Sequence, residues 1–149
     1  MVDTLLAILG NRILWTGLIA WFTAQLFKVL LTLMLQKKFD VHRFVGSGGM
    51  PSSHSAFMCA VSTAVGFQEG FSSSIFAISV CFTMVVMYDA AGVRRAAGKQ
   101  AAVLNRIIED MFTNGKGWDD EKLKELIGHT PVQVVAGALL GVLIGVLLG

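Results

Sequence analysis

The sequence GGMPSSHSA, residues 48–56, stands directly before an apolar run that continues to Phe67. Pro51 suits the first turn of a helix, where its missing N–H costs nothing. The glycines let the backbone come close to a ligand, and the serines add hydroxyl donors. A helix start also offers unpaired backbone N–H groups and the positive end of a helix dipole. The stretch therefore predicts a hydrophobic helix whose first turn binds an anion.

The composition around this stretch is that of a membrane protein. Of the 149 residues, 54% are hydrophobic and only 15% are charged, whereas a soluble domain has about 25% charged residues. The length predicts a single integral membrane domain over residues 1–149. The net charge of +2 gives no indication of a nucleic-acid partner.

Four segments approach the length of about 20 apolar residues that a helix needs to cross a bilayer. They are residues 13–36, 51–68, 71–91 and 131–149. Only Glu69 and Gly70 separate the second segment from the third, which predicts a tight helical hairpin. The predicted fold is an all-α, polytopic membrane helical bundle with about four transmembrane helices.

Residues 92–113 carry too many charged side chains for a fifth span. Their apolar residues recur at helical spacing, which predicts an amphipathic helix along the membrane interface. Residues 119–127 are expected to form a short charged helix that returns to the membrane.

The basic residues predict the orientation. Ten of the twelve Lys and Arg residues fall in the connections after the first and third predicted spans. By the positive-inside tendency these connections face the cytoplasm and both termini lie outside. We therefore expect an integral protein of the plasma (inner) membrane whose polar helix starts face the cytoplasm.

Gly137, Gly141 and Gly145 recur every four residues in the last predicted span. Such a face lets another helix approach closely. The approaching helix can belong to a second copy, which would make a homodimer, or to the same chain. The sequence leaves both alternatives open.

A second polar helix start occurs at GHTPVQVV, residues 128–135, where Thr130 fits the N-cap and Pro131 the first helical position. In the predicted topology His54 and His129 then lie at the same membrane depth. Histidine can attack phosphorus or donate a proton near neutral pH. Arginine binds phosphoryl oxygens through paired N–H groups, and the nearby arginines are Arg43, Arg94 and Arg95. This combination predicts phosphoryl transfer without a metal ion or other cofactor.

Each of these residues also has a simpler interpretation. A single histidine at a helix end is more often a capping or interface residue, and Arg94 or Arg95 could anchor the chain to anionic lipid. Lys28 either extends to the interface or joins Gln25, one turn away, in a polar stripe that faces the site. Asp89 either pairs with a neighbouring arginine or orients an arginine or histidine of the site.

Three ordered motifs resemble the divergent branch of the type 2 phosphatidic acid phosphatase superfamily, which is related to acid phosphatases and vanadium-dependent haloperoxidases. The motifs are residues 48–56, residues 88–101 (YDAAGVRRAAGKQA) and residues 128–137 (GHTPVQVVAG). The resemblance implies an all-helical membrane protein in which His129 is the nucleophile that forms a phosphohistidine and His54 is the general acid. The residues expected to bind the substrate phosphate are Lys28, Arg43, Gly49, Ser52, Ser53, Arg94 and Arg95.

The chain departs from the pattern of this superfamily at several positions, and two of them affect the expected mechanism. Gln133 stands four residues after His129 where the pattern has an acid, and Leu123 stands where it has an arginine. A carboxylate both orients an imidazole and stabilises its positive charge, whereas an amide only orients it. Asp89, the third expected catalytic residue, or Glu125 would then supply the charge, and Arg94 or Arg95 would replace the missing arginine.

The predicted function is a membrane phosphatase that hydrolyses a lipid phosphate or prenyl diphosphate through a phosphohistidine. Its partners are the bilayer and a phosphorylated lipid, for which phosphatidylglycerol phosphate, phosphatidic acid and undecaprenyl diphosphate are all candidates. The alternative is a non-enzymatic membrane protein that binds or transports a phosphorylated lipid or anion, and Gln133 keeps this alternative open. A purely structural bundle ranks last, because it gives Lys28 and the two histidines no purpose.

Overall fold

The computed structural model describes residues 1–36, 49–112, 123 and 128–149, and the secondary structure in these ranges is helical, without a β-strand. The predicted all-α class is confirmed. The elements are α1 (Val2–Leu9), α2 (Arg12–Gln36), α3 (Ser53–Glu69), α4 (Ser74–Tyr88), a π-helical turn (Asp89–Val93) that we call the π-segment, α5 (Arg94–Phe112) and α6 (Pro131–Leu148).

Helix α3 lies at the centre of the bundle, where it packs against α2, α4 and α6. Small side chains make this possible, because they let three neighbours come close to one helix. Among the buried residues of α3 are Ala56, Cys59, Ala60, Ser62 and Ala64. At 17 residues, the helix is about 25 Å long.

Helices α3 and α6 run parallel and touch through their backbones. A Cβ added to Gly137 or to Gly141 would collide with a carbonyl oxygen of the chain around α3, and one on Gly145 would lie 3.0 Å from such an oxygen. Internal packing, one of the two predicted alternatives for this glycine face, is therefore what the structure shows, while a homodimer stays a prediction. The glycine contacts are Gly137 with Ser52, Gly141 with Ala56 and Gly145 with Ala60.

Helix α2 runs antiparallel to α6. At its start, Arg12 donates a hydrogen bond from Nη2 to the carbonyl oxygen of Leu148 (3.2 Å), at the end of α6. Further along, Ala20 and Ala24 pack into the core with Ala56 and Ala60 of α3. This direction brings the second half of α2, which carries Lys28, to the end of the bundle where α3 and α6 begin.

In the part of the chain that the structure describes, three helices are long and apolar enough to cross a membrane: Arg12–Met34, Ser74–Glu109 and Pro131–Leu148. The count of four predicted spans stays a prediction, since α3 is shorter and lies largely inside the bundle. The amphipathic helix expected over 92–113 is present as α5, but it continues α4 through the π-segment. The continuous helix of 36 residues is about 54 Å long, which exceeds the ~30 Å of the hydrocarbon layer.

Two predicted boundaries differ from the structure because serine side chains determine where helices begin. Ser52 is the N-cap of α3, so Pro51 precedes the cap and does not lie in the first turn. The hairpin between α3 and α4 is longer than predicted, because α4 begins only after Ser73, whose hydroxyl accepts a hydrogen bond from the N–H of Phe76 (3.2 Å). Gly70 turns the chain there with a φ of 89°.

Parts of the two predicted cytoplasmic connections lie outside the described residues. They include Arg43 and most of the short helix expected over 119–127. Leu123 is described, and Asn105 of α5 binds its backbone at both ends, donating to the carbonyl at 2.9 Å and accepting from the N–H at 3.1 Å. The membrane orientation stays a prediction.

The contact between α3 and α6 can be tested with matched substitutions that each add one carbon. Gly141→Ala places a Cβ against the Ala56 carbonyl oxygen, and we expect it to lower the free energy of unfolding by about 1–3 kcal/mol. Val135→Ile enlarges a side chain on the exposed side of α6 and should change this free energy by less than about 0.5 kcal/mol. Titration with a denaturing detergent, followed by circular dichroism, measures both, and equal stabilities would contradict the backbone contact.

Candidate active site

His129 lies at the end of the bundle where α3 and α6 begin, and it is only 3% exposed. Its backbone N–H donates a hydrogen bond to the carbonyl oxygen of Ala90 (2.9 Å), which belongs to the π-segment. Wide helical turns of this kind leave carbonyl groups available to partners outside the helix. The π-segment therefore holds the histidine by its main chain.

Gly128 allows this attachment. Its φ is 101°, a value that side chains with a Cβ rarely adopt. A Cβ at this position would also lie 2.5 Å from the backbone nitrogen of Arg95 and 2.8 Å from the carbonyl carbon of Arg94. Only glycine lets the chain pass so close to the start of α5.

Gln133 orients the imidazole of His129. The side-chain oxygen of Gln133 accepts a hydrogen bond from the backbone N–H of Thr130 (3.0 Å), and Thr130 caps α6 in return, as predicted. The same oxygen lies 3.3 Å from Nδ1 of His129. Because an amide oxygen only accepts hydrogen bonds, Nδ1 must be the donor in this contact. Neutral His129 then carries its proton on Nδ1 and a lone pair on Nε2.

Lys28 is buried beside this histidine. Its side chain is 2% exposed, so it belongs to the polar stripe and does not extend to the interface. Its ammonium group donates a hydrogen bond to the side-chain oxygen of Gln25 (2.7 Å), the residue predicted to share its face. The charge of Lys28 acts on both His54 and His129.

Burial lowers the pKa of His129 below its usual value of 6.5, because a buried imidazolium loses hydration. The hydrogen bond with Gln133 opposes this and raises the pKa, while the positive charges of Lys28, His54 and Arg94 lower it. His129 is therefore mainly neutral at pH 7 and can act as a nucleophile.

Asp89 and Arg94 form an ion pair across the π-segment, with Nε 2.5 Å from Oδ2. The salt bridge anticipated for Asp89 is thus present, and its partner is Arg94. The charge of Arg94 acts on both His54 and His129, whereas the charge of Asp89 acts on His54. Arg95 contributes a backbone contact to Gly128 and has an exposed side chain.

His54 lies in the first turn of α3 with an exposed side chain, and it is near enough to His129 for its charge to act there. Two imidazoles far apart in sequence are thus close together. The sequence predicted this proximity from their helix-start positions alone.

The other predicted phosphate-binding residues differ in their surroundings. The hydroxyl of Ser52 is fully buried and caps α3 by accepting a hydrogen bond from the N–H of Ser55 (3.4 Å). Ser53 is buried in the first turn, and Gly49 has a φ of 85°. Arg43 lies outside the described residues. Phosphate contacts by these four residues, and by Lys28, Arg94 and Arg95, stay predictions.

The arrangement combines four chemical functions in one place. It has an unprotonated imidazole nitrogen, a second and exposed imidazole, two cations, and the N-termini of two helices, which favour a phosphate-sized anion. Within the described ranges, no group of three His, Cys, Asp or Glu side chains is arranged to hold a metal ion. The two imidazoles, the two cations and the helix N-termini are the kinds of group that phosphoryl transfer through histidine needs.

The π-segment is the part of the site that the sequence did not predict. The sequence predicts the end of a span at residues 88–91 and a separate helix from residue 92 onward. The only local signal is Gly92 beside the charged pair Asp89 and Arg94, and neither specifies a π-helical turn.

Comparison with known proteins shows the family of the chain. The sequence model of the Divergent PAP2 family matches residues 9–144. The chain is similar to the uncharacterized membrane protein YuiD of Bacillus subtilis (strain 168), with 40% identity over 151 residues, 95% of this chain and 96% of that protein. No solved structure matches it. The chain therefore belongs to the Divergent PAP2 family.

Proposed function

We propose that the protein is a membrane phosphatase that hydrolyses a lipid phosphate or prenyl diphosphate through a phosphohistidine on His129, at a site facing the cytoplasm. The observation that carries this proposal is the contact between Nδ1 of His129 and the Gln133 side-chain oxygen. This contact leaves Nε2 with a lone pair inside a cluster of positive charge. A histidine that served only to cap a helix would not need this tautomer.

In the first step, the Nε2 lone pair of His129 attacks phosphorus and the bond from phosphorus to the leaving oxygen breaks. Protonated His54 gives its proton to that oxygen, so the product leaves as an alcohol from a monoester or as a protonated phosphate from a diphosphate. The resulting phosphohistidine keeps the Nδ1 proton, which continues to donate to Gln133. Positive charge on this imidazole is the reason that an amide partner is less effective here than a carboxylate.

In the second step, neutral His54 takes a proton from water, and the water oxygen attacks phosphorus. The bond between phosphorus and Nε2 breaks, its electrons return to His129, and inorganic phosphate departs. The exposed position of His54 suits this role, since water must reach it.

The cations act on the phosphoryl oxygens. Charge spreads over these oxygens during transfer, and fixed positive groups stabilise it. Lys28 is buried and Arg94 is oriented by Asp89, and the charges of both act on the two histidines. In this assignment Asp89 is a positioning residue, because its carboxylate contacts Arg94.

A non-enzymatic role in binding a phosphorylated lipid is favoured by one specific observation. The partner of His129 is neutral Gln133, so the protein lacks at this contact the negative charge that would stabilise a phosphorylated imidazole. The same cations and helix starts would still bind a phosphate group.

Trapping the intermediate separates the two functions. Radiolabelled phosphatidic acid, phosphatidylglycerol phosphate and undecaprenyl diphosphate would be incubated with the purified protein, with and without a chelator. For at least one lipid we expect phosphate release and an acid-labile protein label, both unaffected by chelation and both absent from His129→Ala. A wild type that releases no phosphate, together with a His129→Ala protein that binds the lipids equally well, would favour the binding role.

The two adjacent arginines offer a matched pair of variants. Arg94→Gln removes the guanidinium whose charge reaches both histidines, and we expect kcat/KM to fall by about 10²–10³. Arg95→Gln removes an exposed guanidinium and should lower kcat/KM by less than about threefold. Steady-state phosphate release measures both, and equal losses would contradict the assignment of Arg94.

Gln133→Glu tests the partner of His129 while keeping an oxygen that can cap α6. In the wild type, activity should fall on the acid side below pH 6.5, because the nucleophile is neutral His129 and its pKa is lowered. The new carboxylate raises this pKa, so the acid limb should move to higher pH, and kcat should increase by about tenfold.

The pH profile of kcat/KM measures this shift. The control is Gln133→Leu, which loses the hydrogen bond and should be less active than both the wild type and Gln133→Glu. An unchanged acid limb in Gln133→Glu would mean that His129 is not the titrating nucleophile.

A further inference from the structure

An apolar groove with a volume of about 490 Å³ opens between α3, α4 and α6. This is within the range of ~300–1,000 Å³ that is usual for sites of small ligands. Its polar lining residues are already hydrogen-bonded, because Ser62 and Thr83 share a hydroxyl contact of 2.7 Å and Thr83 also donates to the carbonyl of Ser79 (2.9 Å). The groove therefore suits a hydrocarbon and not a polar ligand.

One face of α4 connects the groove to the candidate active site. Phe76, Val80, Thr83 and Met87 line the groove, and their spacing of three or four residues puts them on one side of the helix. Ala90, three residues after Met87, continues this stripe into the π-segment, and its carbonyl oxygen binds the N–H of His129. The groove thus begins about one helical turn from His129, where the phosphate of a ligand would lie.

The other end of the groove is closed by aromatic rings at the α3–α4 hairpin. Phe71 stacks edge-to-face on Phe67 (5.3 Å between ring centroids) and on Phe76 (5.2 Å), and all three rings line the groove. Met87 is eleven positions after Phe76, so the groove is about 16 Å long along α4. That is roughly half of the ~30 Å hydrocarbon layer, the depth reached by one lipid chain in one leaflet.

We propose that this groove takes one hydrocarbon chain of the phosphorylated lipid whose head group binds at His129, with the rings of Phe67, Phe71 and Phe76 against the end of the chain. The inference rests on the proposed function for the identity of the head group. It adds that the hydrocarbon chain of the lipid lies against the protein and not only in the bilayer.

Blocking the groove provides the first test. Val146 lines the groove on α6, whereas Leu147, the next residue, is 70% exposed and is not a lining residue. Butyl, hexyl, octyl and decyl phosphate would be supplied below their micellar concentrations, and phosphate release measured. In the wild type and in Leu147→Trp, kcat/KM should rise by up to about fourfold for each methylene group that enters the groove.

In Val146→Trp this dependence on chain length should be largely lost, while butyl phosphate is hydrolysed as by the wild type. The same dependence in Val146→Trp and Leu147→Trp would overturn the inference, because the chain would then lie in bulk lipid. An absence of phosphate release from every substrate would contradict the proposed function instead, and the groove would be judged by the second test alone.

Photolabelling tests binding without turnover. Hexadecyl phosphate with a diazirine at the end of its chain would be crosslinked to His129→Ala protein in lipid nanodiscs. Labels should concentrate on the cluster of Phe67, Phe71 and Phe76 and should be reduced severalfold by Val146→Trp but not by Leu147→Trp. Labels spread over α2, or on a second copy of the chain, would overturn the inference.

Discussion

The close parallel contact between α3 and α6 is the constraint on which the site depends. With glycines on α6 against the backbone of α3, the two helix starts are held side by side, and the N–H of Ser52 donates to the carbonyl oxygen of Gln133 (3.0 Å). His54 follows Ser52 on one helix, and His129 precedes Gln133 at the other. A larger side chain at the contact would separate the helices, and with them the two imidazoles.

The second constraint is the burial of positive charge. Lys28 is almost completely enclosed, and an isolated buried ammonium group is costly in a low-dielectric environment. The side-chain oxygen of Gln25 accepts a hydrogen bond from this group. The charge of Lys28 adds to the burial that lowers the pKa of His129, so in the proposed function this lysine favours both the binding of phosphate and a neutral nucleophile.

Local rules predicted the helical class, the apolar segments and the cap at Thr130 from the sequence, because spacing and capping depend on neighbouring residues. The pairing of His54 with His129 followed from their equivalent positions at helix starts. The π-segment could not be predicted in this way, because its carbonyl at Ala90 is used by His129, far away in the chain. The sequence predicts Pro51 in the first turn of α3, because proline is common at the first helical position, but Ser52, a favoured N-cap residue, begins the helix instead.

The wide turn at 89–93 is equivalent to one extra residue inserted into a continuous helix. The wide turn takes up this residue, so that the N–H of Arg94 bonds to the carbonyl oxygen of Asp89 and the carbonyl oxygen of Ala90 stays available to His129. Loss of one residue here would restore regular α-helix, in which each carbonyl oxygen accepts from the N–H four residues later and none is left over for a partner outside the helix. The main-chain contact of His129 with this helix thus depends on the length of the turn.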